Sequence, residues 1–309
     1  MRVVVLGAGA VGGLFGALLS RAKHEVLLVA REEEVVVIRL DGLRIEGRTE
    51  GVFELPAVDA LPDGIHVDAL LLTVKAPDVR AAGAEIARRL RPLPPILALQ
   101  NGLGIERSLI EGLESGPGEI LPGTITRAIN SVPVTRLGPG RLRHAGEGEV
   151  LFDTPDLPRA RASVERFVGL LASASVPIRR VPEISREIWR KVIVNAAINP
   201  VTAEHGIPNG RLAVDPWRRP AEELLHEAQR VAAAEGFDFP DAEVEADLWR
   251  IVRATAQNRS SMLQDVQRRH RTEIEAISGA LLRFGDKHGL ELPATRQAYD
   301  RIRALEPVG

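Results

Sequence analysis

The 309-residue chain contains no cysteine. That absence excludes disulfides, thiolate nucleophiles and cysteine-ligated zinc or iron–sulfur centres. A charge surplus is also missing, with 40 basic residues against 42 acidic ones and a net charge of −2. Long-range attraction to nucleic acid or an anionic membrane needs a strong basic excess, so neither partner is expected. Lysine is scarce: of the 40 basic residues only Lys23, Lys75, Lys191 and Lys287 are not arginine. Arginine is always protonated and planar, so a lysine kept in such a background is a candidate for chemistry that arginine cannot perform. There are no repeats or low-complexity blocks, and His66, His144, His205 and His226 stand isolated, without metal-ligand spacing. What is present is a globular composition, 45% hydrophobic, long enough for one large or two ordinary domains.

Residues 3–20 carry no charge and could be read as a secretory signal. Five glycines, Gly7, Gly9, Gly12, Gly13 and Gly16, interrupt that stretch, and the valine-rich run before them suits a buried parallel strand better. The spacing predicts a strand over residues 2–6, a turn Gly7-Ala8-Gly9-Ala10-Val11-Gly12, a helix to about Arg21 and a second strand over residues 25–30. This is the dinucleotide-binding βαβ pattern in its expected context. Gly7 permits the tight turn, Gly9 lets backbone approach a pyrophosphate, and Gly12 lets helix and strand pack closely. The helix N-terminus offers free N–H groups to the phosphates.

The end of the second strand usually settles cofactor choice, a carboxylate holding a ribose hydroxyl or an arginine accepting a 2′-phosphate. Arg31 stands there and favours NADP, while Glu32, Glu33 and Glu34 directly after it leave NAD open, unless they serve only to charge a first helical turn.

Further along, a helix is expected over residues 32–40, a short strand pair near 43–45 and 52–55, a buried strand at 68–74, a helix at 77–90 and a strand at 96–100. Strands alternating with helices imply a parallel sheet, with ligands beyond the carboxyl ends of its strands. Lys75 and Asn101 each follow such a strand and are candidate cofactor contacts, with a surface lysine and an Asn-Gly turn residue as the plain alternatives. The Gly/Pro-rich stretch 115–155 reads as extra strands at 119–126 and 148–152, followed by a helix at 157–172 and a strand at 176–179. From residue 183 the pattern becomes almost continuous helix, with breaks expected at Pro200, residues 208–210, Pro216, residues 236–240 and Gly289. The expected organisation is thus an α/β domain of Rossmann type over residues 1–181 and an all-α domain over residues 182–309.

The most informative segment runs from Ile188 to Pro200. Spacings of four place Lys191, Asn195 and Asn199 on one helical stripe, while Val192, Ile193, Val194, Ala196, Ala197 and Ile198 are apolar. A helix apolar on its other faces is buried, so the polar stripe must find partners or line a cleft. A single buried asparagine is usually structural; three aligned polar residues point to a site.

With these residues in view the sequence resembles the ketopantoate reductase family over nearly its whole length. The resemblance rests on the glycine motif with Arg31, Val74-Lys75-Ala76, Gln100-Asn101-Gly102, Lys191 with Asn195 and Asn199, Pro208-Asn209-Gly210, and Ser260-Ser261-Met262-Leu263-Gln264-Asp265 followed by Thr272-Glu273-Ile274-Glu275. It implies a C-terminal domain like that of 6-phosphogluconate dehydrogenase, and NADPH-dependent reduction of 2-dehydropantoate to (R)-pantoate in the cytoplasm, in a cleft between the domains. It further implies that Lys191 is the proton donor, that Asn195, Asn199, Asn209 and Ser261 hold substrate, that Asn101 touches both ligands and that Glu273 lies at the cofactor–substrate junction. Ile129 stands where the family has a small residue, on a loop expected to approach the cofactor, so any contact there would be through backbone.

The residue chemistry agrees with this resemblance. Hydride reduction of a ketone builds negative charge on oxygen, a positioned acid must supply a proton, and Lys191 is the best available donor. Thr272-x-x-Glu275 reads as a capping box that places Glu273 in the first turn of the last long helix, where an acid is common for structural reasons alone; the resemblance implies instead a catalytic carboxylate that orients Lys191 or accepts from the nicotinamide ribose. Arg268-Arg269-His270-Arg271 reads as a solvated connector, with a substrate-carboxylate role as the lesser reading. A reductase of another 2-keto acid and a non-catalytic NADP-binding regulator are the alternatives. A homodimer is compatible with the apolar helical stripes of the second domain, which would serve core or interface equally well.

Overall fold

Unbroken runs of Val, Leu, Ile and Ala form the central strands, because a parallel strand covered on both faces has no use for polar alternation. The computed structural model describes residues 1–307. The chain divides into two units, one of residues 1–100 with 105–184, the other of Asn101–Gly104 with residues 185 onward.

The first unit runs β1 (Arg2–Leu6), α1 (Ala10–Arg21), β2 (Glu25–Val29), α2 (Glu32–Asp41), β3 (Leu43–Gly47), β4 (Gly51–Phe53), β5 (Ala57–Val58), β6 (Ala69–Leu72), α3 (Val79–Arg89), β7 (Ile96–Ala98), α4 (Ile105–Leu113), β8 (Ile125–Asn130), β9 (Val134–Gly138), β10 (Arg141–His144), β11 (Val150–Phe152), α5 (Pro158–Ser173) and β12 (Ile178–Arg180). Its main sheet has the order β12-β11-β8-β7-β6-β1-β2-β5. The strands from β5 through β8 in that order are parallel, and β11 joins β8 antiparallel. A smaller sheet has the order β4-β3-β10-β9. Leu14, Phe15, Leu19, Leu28, Leu71 and Phe152 are among the residues that fill the core of this unit.

Three expectations need correction here. Residues 119–124 are not a strand: Pro122-Gly123 turns the chain, with Gly123 at φ +85° and the Thr124 N–H closing on the Leu121 carbonyl at 2.9 Å, so β8 begins at Ile125. The hairpin β9–β10 occupies a stretch from which no strands were expected. Helix α4 was likewise unforeseen. It lies tightly on α3 where two glycines meet: a Cβ on Gly112 would fall 2.2 Å from the Arg80 carbonyl, and one on Gly83 would fall 2.8 Å from that of Leu109.

The second unit is helical: α6 (Ile184–His205), α7 (Arg218–Ala234), α8 (Asp241–Ala254), α9 (Ser261–Gln267), α10 (Ala280–His288) and α11 (Pro293–Leu305), with a π-helical turn at Glu275–Gly279 leading into α10. Trp189 anchors its core, with ring centroids 5.9 Å from Phe237 and 5.6 Å from Phe284. The break expected at Pro200 does not occur. Proline removes one helix hydrogen bond, but Val201 and Ala203 are buried on the far side of it, and the Thr202 hydroxyl reaches back to the Ile198 carbonyl at 2.8 Å. Tertiary burial carries α6 through the proline as one 22-residue helix.

Candidate active site

In the first unit the site is made of backbone. Gly7 has φ +106°, and its N–H and that of Ala8 both donate to the Val29 carbonyl, at 2.9 and 3.1 Å, tying the turn to the end of β2. Gly12 is pressed from below: a Cβ there would lie 2.3 Å from the Gly7 carbonyl and 2.4 Å from Thr73 Oγ1. Gly9 is the opposite case, since a Cβ there would meet nothing within 4 Å. It is the N-cap of α1 and supplies no side-chain acceptor. The first amide to bond back along the helix is that of Gly13, to the Gly9 carbonyl at 2.8 Å. The N–H groups of Ala10, Val11 and Gly12 therefore precede the first bond along the helix, with open space beside Gly9, a geometry that suits a diphosphate.

Arg31 is exposed and is the N-cap of α2. Two of the three glutamates behind it are engaged elsewhere. Glu34 is buried, forms an ion pair with Arg136 and accepts the Gly140 N–H at 2.6 Å; Glu33 accepts from Arg136 at 3.3 Å. Both carboxylates contact the β9–β10 hairpin; Glu34 is buried there, while Glu32 and Glu33 stay exposed beside Arg31. Lys75 is half-buried just beyond β6, its carbonyl accepting the Asp78 N–H at 2.9 Å. Ile129 requires correction. It lies within β8, opposite Leu151 and only 8% exposed, rather than on a loop.

Sequence reasoning missed two supporting residues. The Thr73 hydroxyl donates to the Gly7 carbonyl at 2.8 Å and sits where it would touch a larger residue at 12. Gln100 Nε2 donates to the carbonyls of Leu72 and Val74, at 2.9 and 3.1 Å, joining the ends of β6 and β7. The available signal was their position, each at the carboxyl end of a buried strand.

In the second unit the site is made of side chains. Lys191, Asn195 and Asn199 all lie on α6; the first two are half-buried and Asn199 is buried, among apolar neighbours that are 0–4% exposed. Arg190 pairs with Glu243 and Asp247 of α8, which fixes α6 next to the lysine. The Thr202 hydroxyl meets Ser260 Oγ at 2.7 Å, and Ser260 caps α9 by accepting the Leu263 N–H at 3.1 Å. That chain of contacts links the Asn199 end of α6 to exposed Ser261 at the start of α9. Asn209 is buried, with Nδ2 donating to Thr255 Oγ1 at 2.9 Å. Thr255 Oγ1 itself donates to Ile251, so it can only accept from Asn209, and Asn209 Oδ1 is left as a buried acceptor without a protein partner.

Asn101 belongs with this unit, since its Nδ2 donates to Glu273 Oε2 at 3.0 Å and the Leu103 N–H donates to the Ala276 carbonyl at 2.8 Å. The capping box does not form. Thr272 N–H and Oγ1 both donate to Glu306, and Glu275 accepts from Tyr299 and Arg283 instead of reaching back. Residues 268–271 connect α9 to the π-turn, with Arg269 and Arg271 exposed. The four histidines singled out above hold contacts of their own: His66 with Asp68, His144 with Thr49, His226 with Glu245, and His205 against Trp217. Among the described residues no group of three or more His, Asp or Glu could hold a metal ion, and no helix is long and apolar enough to cross a membrane.

A Rossmann-type α/β unit with an open glycine turn, joined to a helical unit carrying a lysine–asparagine stripe, defines the class of a dinucleotide-dependent oxidoreductase. The particular family follows from comparison. The family description "Ketopantoate reductase PanE/ApbA" matches residues 3–156, and its C-terminal counterpart matches residues 183–306. The 2-dehydropantoate 2-reductase of Archaeoglobus fulgidus is 32% identical over 307 residues, covering 99% of this chain and 98% of the relative. That of Vibrio cholerae is 32% identical over 306 residues with the same coverage. Among solved structures, a PanE/ApbA family ketopantoate reductase from Ralstonia eutropha superposes with TM-score 0.86 at 30% identity, covering 99% of this chain and 98% of that one. D-Mandelate dehydrogenase, solved with NADH and anilino(oxo)acetate, superposes with TM-score 0.89 at 25% identity and the same coverage. The chain belongs to the ketopantoate reductase family.

Proposed function

We propose that this chain reduces 2-dehydropantoate to (R)-pantoate with NADPH, a cytoplasmic step of pantothenate and coenzyme A synthesis. The observation that carries the proposal is the stripe of Lys191, Asn195 and Asn199 on an otherwise apolar, buried helix, in a chain of this family. Residues 1–181 serve as the cofactor domain and residues 182–309 as the substrate and catalytic domain. Gly7, Ala8, Gly9, Ala10, Val11 and Gly12 would hold the diphosphate, Arg31 the 2′-phosphate, and Lys75, Asn101 and Glu273 the remainder of the cofactor. Bound there, NADPH supplies the hydride for the C2 carbonyl.

Lys191 donates its proton to the oxygen on which charge builds, which an arginine could not do. Asn195, Asn199, Asn209 and Ser261, with Asn101, offer neutral donors and acceptors for the substrate carboxylate and hydroxyl. Asn209 Oδ1 is a buried acceptor without a protein partner, and an unpaired buried acceptor is costly to keep. Glu273, bonded to the Asn101 amide, fixes which face of that amide the ligands meet. The burial of Glu34 against Arg136 and Gly140 supports NADPH over NADH, because it commits one of the three carboxylates that follow Arg31 to the hairpin.

The test is loss of NADPH absorbance with ketopantoate and a panel of 2-keto acids. Lys191→Ala should lower turnover by about 10²–10⁴ with an unchanged circular dichroism spectrum, and near-normal turnover would refute the assignment. The likeness to D-mandelate dehydrogenase favours one second reading, reduction of a different, bulkier 2-keto acid, which the same panel separates. NADPH binding without turnover of any acid would indicate a regulator.

A further inference from the structure

Glu273 lies in an irregular stretch between α9 and the π-turn, so no helix of its own fixes it. The residues on either side of it are held by one element. On one side, Thr272 is 1% exposed, and its N–H and hydroxyl both donate to Glu306 Oε1 at 2.7 Å, while its oxygen accepts the Ile274 N–H at 3.2 Å. Glu306 follows directly on α11, and its other oxygen takes Arg303 at 2.6 Å. On the other side, Glu275 Oε2 accepts the Tyr299 hydroxyl of α11 at 2.7 Å, and Arg283 pairs with Oε1. Burial pushes the Glu275 carboxyl up, but the Tyr299 hydroxyl and Arg283 together hold it below the usual carboxylate range.

The turn that follows is wound with five-residue spacing, the Gly279 N–H donating to the Ile274 carbonyl at 2.9 Å. π-Turns cost stability relative to α-helix and occur mostly where a site requires them. Here the Ala276 carbonyl takes the Leu103 N–H, and Gly102 approaches so closely that a Cβ would lie 2.5 Å from that carbonyl. Asn101 is thereby docked against Glu273.

We infer that Glu306 and Tyr299 are positioning residues, which clamp Thr272 and Glu275 so that the carboxylate between them meets Asn101. This rests on the functional reading of Glu273 given above. Neither residue touches ligand; both act through Glu273, and α11 is the strut that transmits the constraint. A merely structural role would change thermal stability and leave the kinetics of folded enzyme intact.

The experiment is a double-mutant cycle on full-length enzyme, read as kcat/KM for NADPH-dependent reduction of ketopantoate well below the unfolding transition. Glu306→Ala should lower kcat/KM about tenfold, as displacement of an oriented group does, and Glu306→Gln, whose amide oxygen still accepts from Thr272, should restore most of it. Tyr299→Phe, which deletes one oxygen, should cost about threefold and carries the same cycle if Glu306→Ala does not fold. In a Glu273→Gln background both losses should vanish, since coupled residues are not additive. Losses that add in that background, or a change in Tm alone, overturn the proposal. If Glu273→Gln keeps full kcat/KM, the reading of Glu273 itself falls and the clamp with it. If Glu273→Gln is impaired while Glu306→Ala and Tyr299→Phe are not, only the clamp falls. NADPH affinity by fluorescence gives the same cycle a second readout that does not depend on the keto acid.

Discussion

The glycine turn of the first unit and the polar stripe of α6 do opposite things with side chains. At Gly7 and Gly12 the proposed site depends on side chains being missing, since neighbouring backbone and Thr73 occupy the space a Cβ would need. On α6 the proposed site rests on three polar side chains kept among buried apolar residues. The first arrangement is steric and fails when an atom is added. The second is chemical and fails when a donor or acceptor is exchanged, even for one of similar shape. A binding surface for phosphate needs only backbone N–H groups and room, whereas proton transfer needs a particular titratable atom.

That contrast can be broken most severely at Gly12. Gly12→Ala should destabilise the protein by about 3 kcal/mol or more, because overpacking against backbone cannot relax. Gly9→Ala, with open space around its Cβ, should leave the melting temperature within about 2 °C and weaken NADPH binding. Thermal unfolding with fluorescence titration of both variants decides this, and equal melting temperatures would show that the turn is not close-packed.

Lys191→Arg is next in size. It keeps the charge and much of the shape, yet turnover should fall by about 10²–10³ with stability unchanged, in steady-state assays alongside thermal melts. Retained turnover would place the proton donor elsewhere. Arg31→Ala should raise KM for NADPH about tenfold and leave KM for NADH nearly unaltered, and equal effects would mean that the 2′-phosphate is held by another group.

The smallest effect concerns the scaffold behind the turn. Burial first, and then the charges of Arg48 and Arg21, hold the His144 ring below its ordinary value of 6.5, against a pull upward from the Gly146 carbonyl. The unfolded chain therefore takes up this proton first on acidification. Stability from neutral His144 is present above pH 6.5 and is lost as pH falls through and below that value. Melting curves between about pH 7 and pH 5 should show a decline on the order of 1 °C from this group, which His144→Gln abolishes.

Much of the first unit was legible because its signals are local. The Gly7–Gly12 spacing, the uniform strands β1, β2, β6 and β7, and the helix between β1 and β2 each depend on residues a few positions apart. Helix α4 carried its own pattern, with Ile105, Leu109, Gly112 and Leu113 buried, yet it lies between glycine-rich segments that read as loop. Pro200 was misread because backbone rules predict a break, while the packing that overrides it comes from elsewhere in the helical unit. Thr272 and Glu275 matched a capping box, but each found a stronger partner on or just beyond α11.

The sequence alone determined the βαβ start, the parallel sheet, the helical character after residue 183 and the polar stripe of α6, because steric and periodic rules operate within a few residues. Tertiary structure decided the rest: that Thr73 braces Gly12, that Glu34 serves a hairpin rather than a ribose, that Asn101 joins Glu273, and that Glu306 holds the segment between them. Such pairings join residues tens to hundreds of positions apart. Any carboxylate could have served any of these donors, and only the closed chain selects which one arrives.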